Sequence, residues 1–209
     1  MLEHIRGLVT AIISPIARLL LRLGVSPDAI TIVGTVATCT AALWFAPRGE
    51  LIAAALSVTV FALFDLLDGT MARMSNRVSK FGAFLDSTLD RIADAVVFGA
   101  VILYFGGPGD SMVGAGLALL CLVTGVTTSY ARARAESLGF TARVGLMERA
   151  DRLVVLGIAA IAAEVSDNPM VLAWGLGVLG VLSAMTVVQR ILAVRSQAHA
   201  VEHSGGVEK

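Results

Sequence analysis

The chain has 209 residues, 56% of them hydrophobic and 15% charged, with a mean hydropathy of +0.83. Soluble domains carry roughly 25% charged residues, so this composition leaves too little polar surface to face water on all sides and defines an integral membrane protein. Lys and Arg balance Asp and Glu at 16 each, which argues against a nucleic-acid binder. The two cysteines, Cys39 and Cys121, lie in apolar runs, which excludes a disulfide scaffold.

In chain order, Leu2–Leu23 is an apolar run interrupted by Arg6, Arg18 and Arg22. With Glu3 near its start and no small-residue cleavage site after it, it fits an interfacial amphipathic helix (1–25) better than a signal peptide. A membrane span needs about 20 mainly apolar residues, and six stretches qualify. They are Asp28–Ala46, Leu51–Met71, Phe81–Phe105, Met112–Tyr130, Leu153–Ala163 extended at both ends, and Met170–Ala193. The expected architecture is all-α: an interfacial helix, a six-helix transmembrane domain over 26–195, and a polar, disordered tail over 196–209. Arg73, Arg77 and Lys80 fall between spans two and three. Arg132, Arg134, Arg143, Arg149 and Arg152 fall between spans four and five, with Arg190 and Arg195 closing span six. The opposite connections hold Arg48 as their one basic residue, so the positive-inside rule places both termini and both basic loops in the cytoplasm of a multi-pass cell-membrane protein. Trp44, Tyr104 and Trp174 fall near the outer span ends, as an aromatic belt requires. Gly34, Ala37, Ala41, Gly114 and Gly116 read as close helix packing through small residues. Gly175-x-Gly177-x-x-Gly180 spells a dinucleotide fingerprint, but without a strand before it the motif has no meaning.

Five carboxylates inside spans two and three need explaining: Asp65, Asp68, Asp86, Asp90 and Asp94. Each costs roughly 2.5–3.5 kcal/mol to insert at a span centre. Asp65 and Asp68 are i and i+3, with Gly69 and Ala72 continuing their face; Asp86 and Asp90 are i and i+4, with Gly82 one turn earlier. The basic turn joins the two helices as antiparallel neighbours, so four carboxylates converge near the cytoplasmic end. Like charges so close call for a cation. An all-oxygen set with no His or Cys in reach favours Mg²⁺, with Mn²⁺ as the alternative and Ca²⁺ less suited to a reaction site. The competing structural explanation pairs the aspartates with Arg73, Arg77 and Arg91; Arg91 and Asp94, at i and i+3, are expected to pair. The glycine and alanine face, which leaves room for a ligand, favours a site for the other four.

Asp65-x-x-Asp68-Gly69-x-x-Ala72-Arg73, eight residues, Gly82, three residues, Asp86, three residues, Asp90 resembles the signature of the CDP-alcohol phosphotransferase family, with all eight fixed positions present. The resemblance implies six spans, a cytoplasmic-facing site, and attack of a hydroxyl on the β-phosphorus of a CDP-linked lipid with expulsion of CMP. It makes Asp65, Asp68, Asp86 and Asp90 metal ligands and Asp90 also the proton acceptor. It assigns Gly69, Ala72, Arg73 and Ser79 to CDP-diacylglycerol, together with Asp28, Ala29, Ile30 and Thr31. That last segment reads independently as a helix start, with Ser26 as N-cap, Pro27 in the first helical position and Asp28 at the positive end of the dipole. Relatives in the family are homodimers, which is the expectation for this chain.

The acceptor alcohol is open in the signature. Arginines at the ends of spans four, five and six suit an anionic acceptor, since guanidinium binds phosphate bidentately; positive-inside bias alone also places arginines there. Those segments resemble the actinobacterial phosphatidylinositol phosphate synthases, which implies Arg132, Arg152 and Arg190 in an acceptor-phosphate pocket with Arg149 adjacent, and inositol 1-phosphate (1D-myo-inositol 3-phosphate) as acceptor. Arg132 stands where those relatives carry lysine. Glycerol 3-phosphate is the alternative acceptor. A transporter using the aspartates would spread them through the membrane depth or over an inverted repeat, and a purely structural bundle gives no reason for the small-residue face.

Overall fold

Most helix starts are set by local capping chemistry. The computed structural model describes residues 13–75 and 79–205, with side chains through Ala200. Residues 13–22 form α1. Ser26 accepts the Ala29 amide at 3.2 Å and opens α2, Pro27–Phe45, with Pro27 in its first turn; a 3-10 turn, Ala46–Arg48, follows. Next come α3, Leu51–Met74, and α4, Lys80–Phe105, the latter capped by Ser79 accepting from Gly82 N at 2.8 Å. Ser111 caps α5, Met112–Ser137, in the same way. In α6, Arg149–Val165, Asp151 reaches back to the Glu148 amide at 3.0 Å. The last helix, α7, runs Pro169–Gly205. Among the described residues there is no strand.

Four of these elements, Pro27–Arg48, Leu51–Met74, Met112–Ser137 and Pro169–Ala200, are long and apolar enough to cross a membrane. The other two expected spans exist as helices but differ in kind. The polar end of α4 carries Asp86, Asp90, Arg91 and Asp94, and α6 has 17 residues with Arg149, Asp151 and Arg152 in its first turn. The charge that lowers their hydropathy is the charge that makes the site.

Neighbours pack as α2 on α3 and α4, α4 on α5, α5 on α7, α7 on α6, and α6 on α3. The main buried core lies toward the α4–α5 turn, where Phe98, Val101, Phe105, Cys121, Leu172 and Leu176 meet. Gly34 lets α2 approach Phe64 of α3, and Gly114 lies under the Phe105 ring. Of the glycines in the Gly175-x-Gly177-x-x-Gly180 run, Gly175 faces Ala159 of α6 and Gly180 faces Leu120 of α5, so that run is a packing surface. Outward positions such as Val36, Leu56, Val60, Val123, Val178 and Val188 are exposed and apolar.

Two expectations change. Tyr104 is 6% exposed and packs edge-on to Phe105 with centroids 5.0 Å apart, so it belongs to the core; Trp44 and Trp174 are exposed. The segment expected as a disordered tail is helical from 196 to 205, because α7 continues without a proline or a break and Gln197 anchors it. Gln197 donates to Thr141 O at 2.7 Å and accepts the Thr141 amide at 2.9 Å. Residues 206–209 lie outside the described residues, as do Leu2, Glu3, His4 and Arg6 of the amphipathic segment and Arg77 of the basic turn. Within α1, Ala17 is buried and packs with Ile30 and Met71, while Arg18 and Arg22 are exposed.

Candidate active site

The polar ends of α2, α3, α4 and α6 meet on the side of the bundle opposite the main core. Asp68 is 6% exposed and accepts a hydrogen bond from Thr31 Oγ1 at 2.5 Å, which ties the start of α2 to the acidic face of α3. Gly82 lies between Asp28 and Ser79: a Cβ there would be 3.3 Å from Asp28 Oδ1 and 3.1 Å from Ser79 Oγ. Asp28, Thr31, Asp68, Ser79 and Gly82 therefore border one region. Gly69 opens the face beneath Arg73, whose Nη2 donates to Thr70 Oγ1 at 3.2 Å. Ala29 donates its amide to the Ser26 cap, and Ile30 is buried against α1 and α3, so these two shape the segment from behind.

Asp65, Asp68 and Asp86 lie within each other's electrostatic reach, and Asp65 and Asp86 within that of Asp90. Among the described residues, no three His, Cys, Asp or Glu side chains close on a common point. Arg149 stands between them instead. Its Nη1 contacts Asp65 Oδ2 at 3.1 Å and Asp90 Oδ1 at 2.8 Å, and its Nε donates to Asp94 Oδ1 at 3.0 Å. Asp90 thus sits between two guanidinium groups, with Arg91 Nη2 at 3.5 Å on its other oxygen.

The expected Arg91–Asp94 pair does not form. Arg91 turns toward α5 and donates to Ser129 Oγ, while Asp94 faces α6 and takes both Arg149 and Arg152. Arg152 is 4% exposed and contacts Asp94 Oδ2 at 3.2 Å. Gly125 of α5 makes its place, since a Cβ there would fall on the Arg152 guanidinium. The remaining arginines of the predicted acceptor pocket stand nearby. Arg190 donates to Val144 O at 3.0 Å and Thr128 O at 2.6 Å, and lies in the fields of Arg132 and Arg152. Arg132 is exposed and pairs with Glu136 at 3.1 Å.

An apolar groove of about 730 Å³ runs between α3, α4 and α6. Ala54, Ala100, Gly157 and Ala160 line its depth, and Asp65, Glu148 and Arg149 stand at its polar end. The groove, the contacts of Asp94 with Arg149 and Arg152 and the Gly125 clearance are not legible in the sequence. The one signal in the sequence for Asp94 is its place four residues after Asp90, which extends the Asp86–Asp90 stripe.

An acidic face across two helices, arginines on a third and an apolar groove leading to both make a site for an amphiphile with a charged head. The family model for CDP-alcohol phosphatidyltransferases matches residues 24–146, and the chain belongs to that family. Curated relatives that it resembles include phosphatidylinositol phosphate synthases. That of Cutibacterium acnes is 45% identical over 202 residues, covering 93% of this chain and 98% of the relative. That of Streptomyces avermitilis is 41% identical over 202 residues, covering 94% and 83%. Among solved structures, the Mycobacterium tuberculosis phosphatidylinositol phosphate synthase with CDP-DAG bound aligns at a TM-score of 0.85 and 40% identity, over 88% of this chain and 94% of that one. The same enzyme in complex with manganese and citrate aligns at 0.81, over 87% and 88%.

Proposed function

We propose that this protein transfers the phosphatidyl group of CDP-diacylglycerol to the hydroxyl of inositol 1-phosphate, giving phosphatidylinositol phosphate and CMP. The observation that carries the reading is the junction at Arg149, where the acidic faces of α3 and α4, the arginines of α6 and the polar end of the apolar groove come together. The relatives named for this reaction support it.

The groove seats the two acyl chains against small apolar side chains, with the pyrophosphate at its Asp65 end. The cytidine end lies toward Asp28, Thr31, Gly69, Ala72, Arg73 and Ser79. Thr31 fixes the Asp68 carboxylate, and Gly82 leaves room for Asp28 and Ser79. Arg132, Arg149, Arg152 and Arg190 receive the acceptor's phosphate. The acceptor hydroxyl bonds to the β-phosphorus, its proton passes to Asp90, and the bond to CMP breaks with the electron pair leaving on the CMP phosphate.

Asp65, Asp68, Asp86 and Asp90 fit a hard divalent cation by donor chemistry, since all four offer carboxylate oxygens. Mg²⁺ is the proposed ion, and the manganese complex of the mycobacterial enzyme supports a divalent metal. When bound, such an ion supplies neutralisation of pyrophosphate charge. In the proposed topology α2 to α7 all span the cell membrane, with termini and site cytoplasmic, and α1 lies in the interface with Ile16 and Leu19 exposed toward lipid. A homodimer is proposed from family membership. The test is CMP release by the purified protein with CDP-diacylglycerol and Mg²⁺, offering inositol 1-phosphate, glycerol 3-phosphate and inositol separately. Release with inositol 1-phosphate is expected; release with glycerol 3-phosphate alone overturns the acceptor assignment and leaves the aspartate chemistry standing.

A further inference from the structure

Asp94 has no role in the reaction as described above, yet it holds two of the arginines in its acceptor site. It is 7% exposed and follows Asp86 and Asp90 on one stripe of α4. Its two oxygens are divided between two residues: Oδ1 accepts from Arg149 Nε at 3.0 Å and Oδ2 from Arg152 Nη2 at 3.2 Å. Arg149, held at Nε, turns its Nη1 to Asp65 and Asp90. Arg152 is fixed from the other side by the space that Gly125 leaves open. A guanidinium has five N–H donors in a rigid fork. Asp94 engages one on each fork, so it orients both without consuming their capacity to bind phosphate.

We propose that Asp94 is a positioning residue that locks Arg149 and Arg152 into one unit, linking the arginine that meets the acceptor's phosphate to the arginine beside the proton-accepting Asp90. Because Arg149 contacts Asp90 directly, any movement of Arg152 on acceptor binding reaches the proton acceptor through two hydrogen bonds and one carboxylate. A buried ion pair that merely joined α4 to α6 needs one arginine, and its loss would weaken both substrates alike. The inference rests on the proposed reaction, in that Arg152 faces the phosphorylated acceptor.

The experiment compares wild type, Asp94→Asn and Asp94→Glu, purified in detergent, by kcat and by KM for each substrate at saturating levels of the other, with melting temperatures alongside. Asp94→Asn should raise KM for inositol 1-phosphate about tenfold or more, because a charge-assisted bond to each arginine is weakened. It should also lower kcat, while KM for CDP-diacylglycerol stays within about twofold. Asp94→Glu keeps the charge but displaces it by one methylene, and should show the same split at about threefold. If Asp94→Asn does not fold, the glutamate variant alone decides. Equal shifts for both substrates, or wild-type kinetics in either folded variant, overturn the inference. A wild type that uses only glycerol 3-phosphate refutes the proposed acceptor, and the split is then read with that phosphate. A wild type with no phosphorylated acceptor refutes both.

Discussion

Replacing Gly125 by alanine should reverse the sign that a glycine in mid-helix ordinarily carries. In a helix interior the substitution gains about 0.5–1 kcal/mol, because alanine loses less backbone freedom on folding. At Gly125 the added methyl would fall on Nη1 of Arg152 and lie 3.1 Å from its Cζ. Ordinary contacts between heavy atoms are about 3.5–4.0 Å, so the fork has to retreat by roughly an ångström or more. It has little freedom to do so, since its side chain is 5% exposed and bonded to Asp94 at 3.2 Å. Overpacking costs about 1–3 kcal/mol, and loss of a hydrogen bond to a charged group about 1.5–3 kcal/mol. Either exceeds the helix gain. The variant should melt lower than wild type, and KM for the phosphorylated acceptor should rise by about tenfold, the equivalent of about 1.4 kcal/mol. Gly99→Ala and Gly116→Ala are the controls, because a methyl at either position meets nothing within 4 Å; both should be neutral or stabilising. Steady-state kinetics and thermal melts in one detergent decide the matter. A Gly125→Ala protein that melts at or above wild type with unaltered acceptor KM would refute the argument that this glycine exists to seat Arg152.

Three further substitutions test separate parts of the site. Asp90→Asn should lower kcat by about 10²–10⁴-fold, the usual contribution of a general base, while CDP-diacylglycerol binding measured by equilibrium titration is partly retained; near-normal turnover would remove Asp90 as proton acceptor. Thr31→Val deletes the 2.5 Å hydrogen bond to Asp68 and should raise KM for CDP-diacylglycerol roughly tenfold with acceptor KM unchanged, which substrate-varied kinetics will show. Ala54→Phe fills the groove and should impair a long-chain CDP-diacylglycerol more than a short-chain one; equal loss with both would place the acyl chains elsewhere.

The helices and the acidic cluster were legible in the sequence because each has a periodic signal. Ser26-Pro27-Asp28 marks the start of α2, and the Asp65/Asp68 and Asp86/Asp90 spacings place two pairs of carboxylates that come within electrostatic reach of one another. The helices α3 and α4 are nonetheless not the packed neighbours expected: α2 packs on both. What the spacing does not contain is rotation. Arg91 and Asp94 are close enough along α4 to pair, yet one turns to Ser129 on α5 and the other to Arg149 and Arg152 on α6. Likewise Arg149 reads as a neighbour of the phosphate site, and its position among Asp65, Asp90 and Asp94 follows from the packing of α6 on α3 and the reach of its long side chain to α4. Gly125 is indistinguishable in sequence from the packing glycines, since its reason lies on another helix. The polar composition of 196–205 suggested disorder, and a tertiary contact between Gln197 and Thr141 overrides it.

In the proposed reaction one site joins a CDP-linked lipid, held by the aspartate helices, to a phosphorylated alcohol, held by the arginines. The direct measurement is mass spectrometry of the lipid product when the purified protein receives CDP-diacylglycerol, Mg²⁺ and an equimolar mixture of inositol 1-phosphate, glycerol 3-phosphate and inositol. Phosphatidylinositol phosphate with stoichiometric CMP is expected, and neither product when the metal is chelated. Phosphatidylinositol as the product, or CMP formed at full rate in chelator, would contradict it.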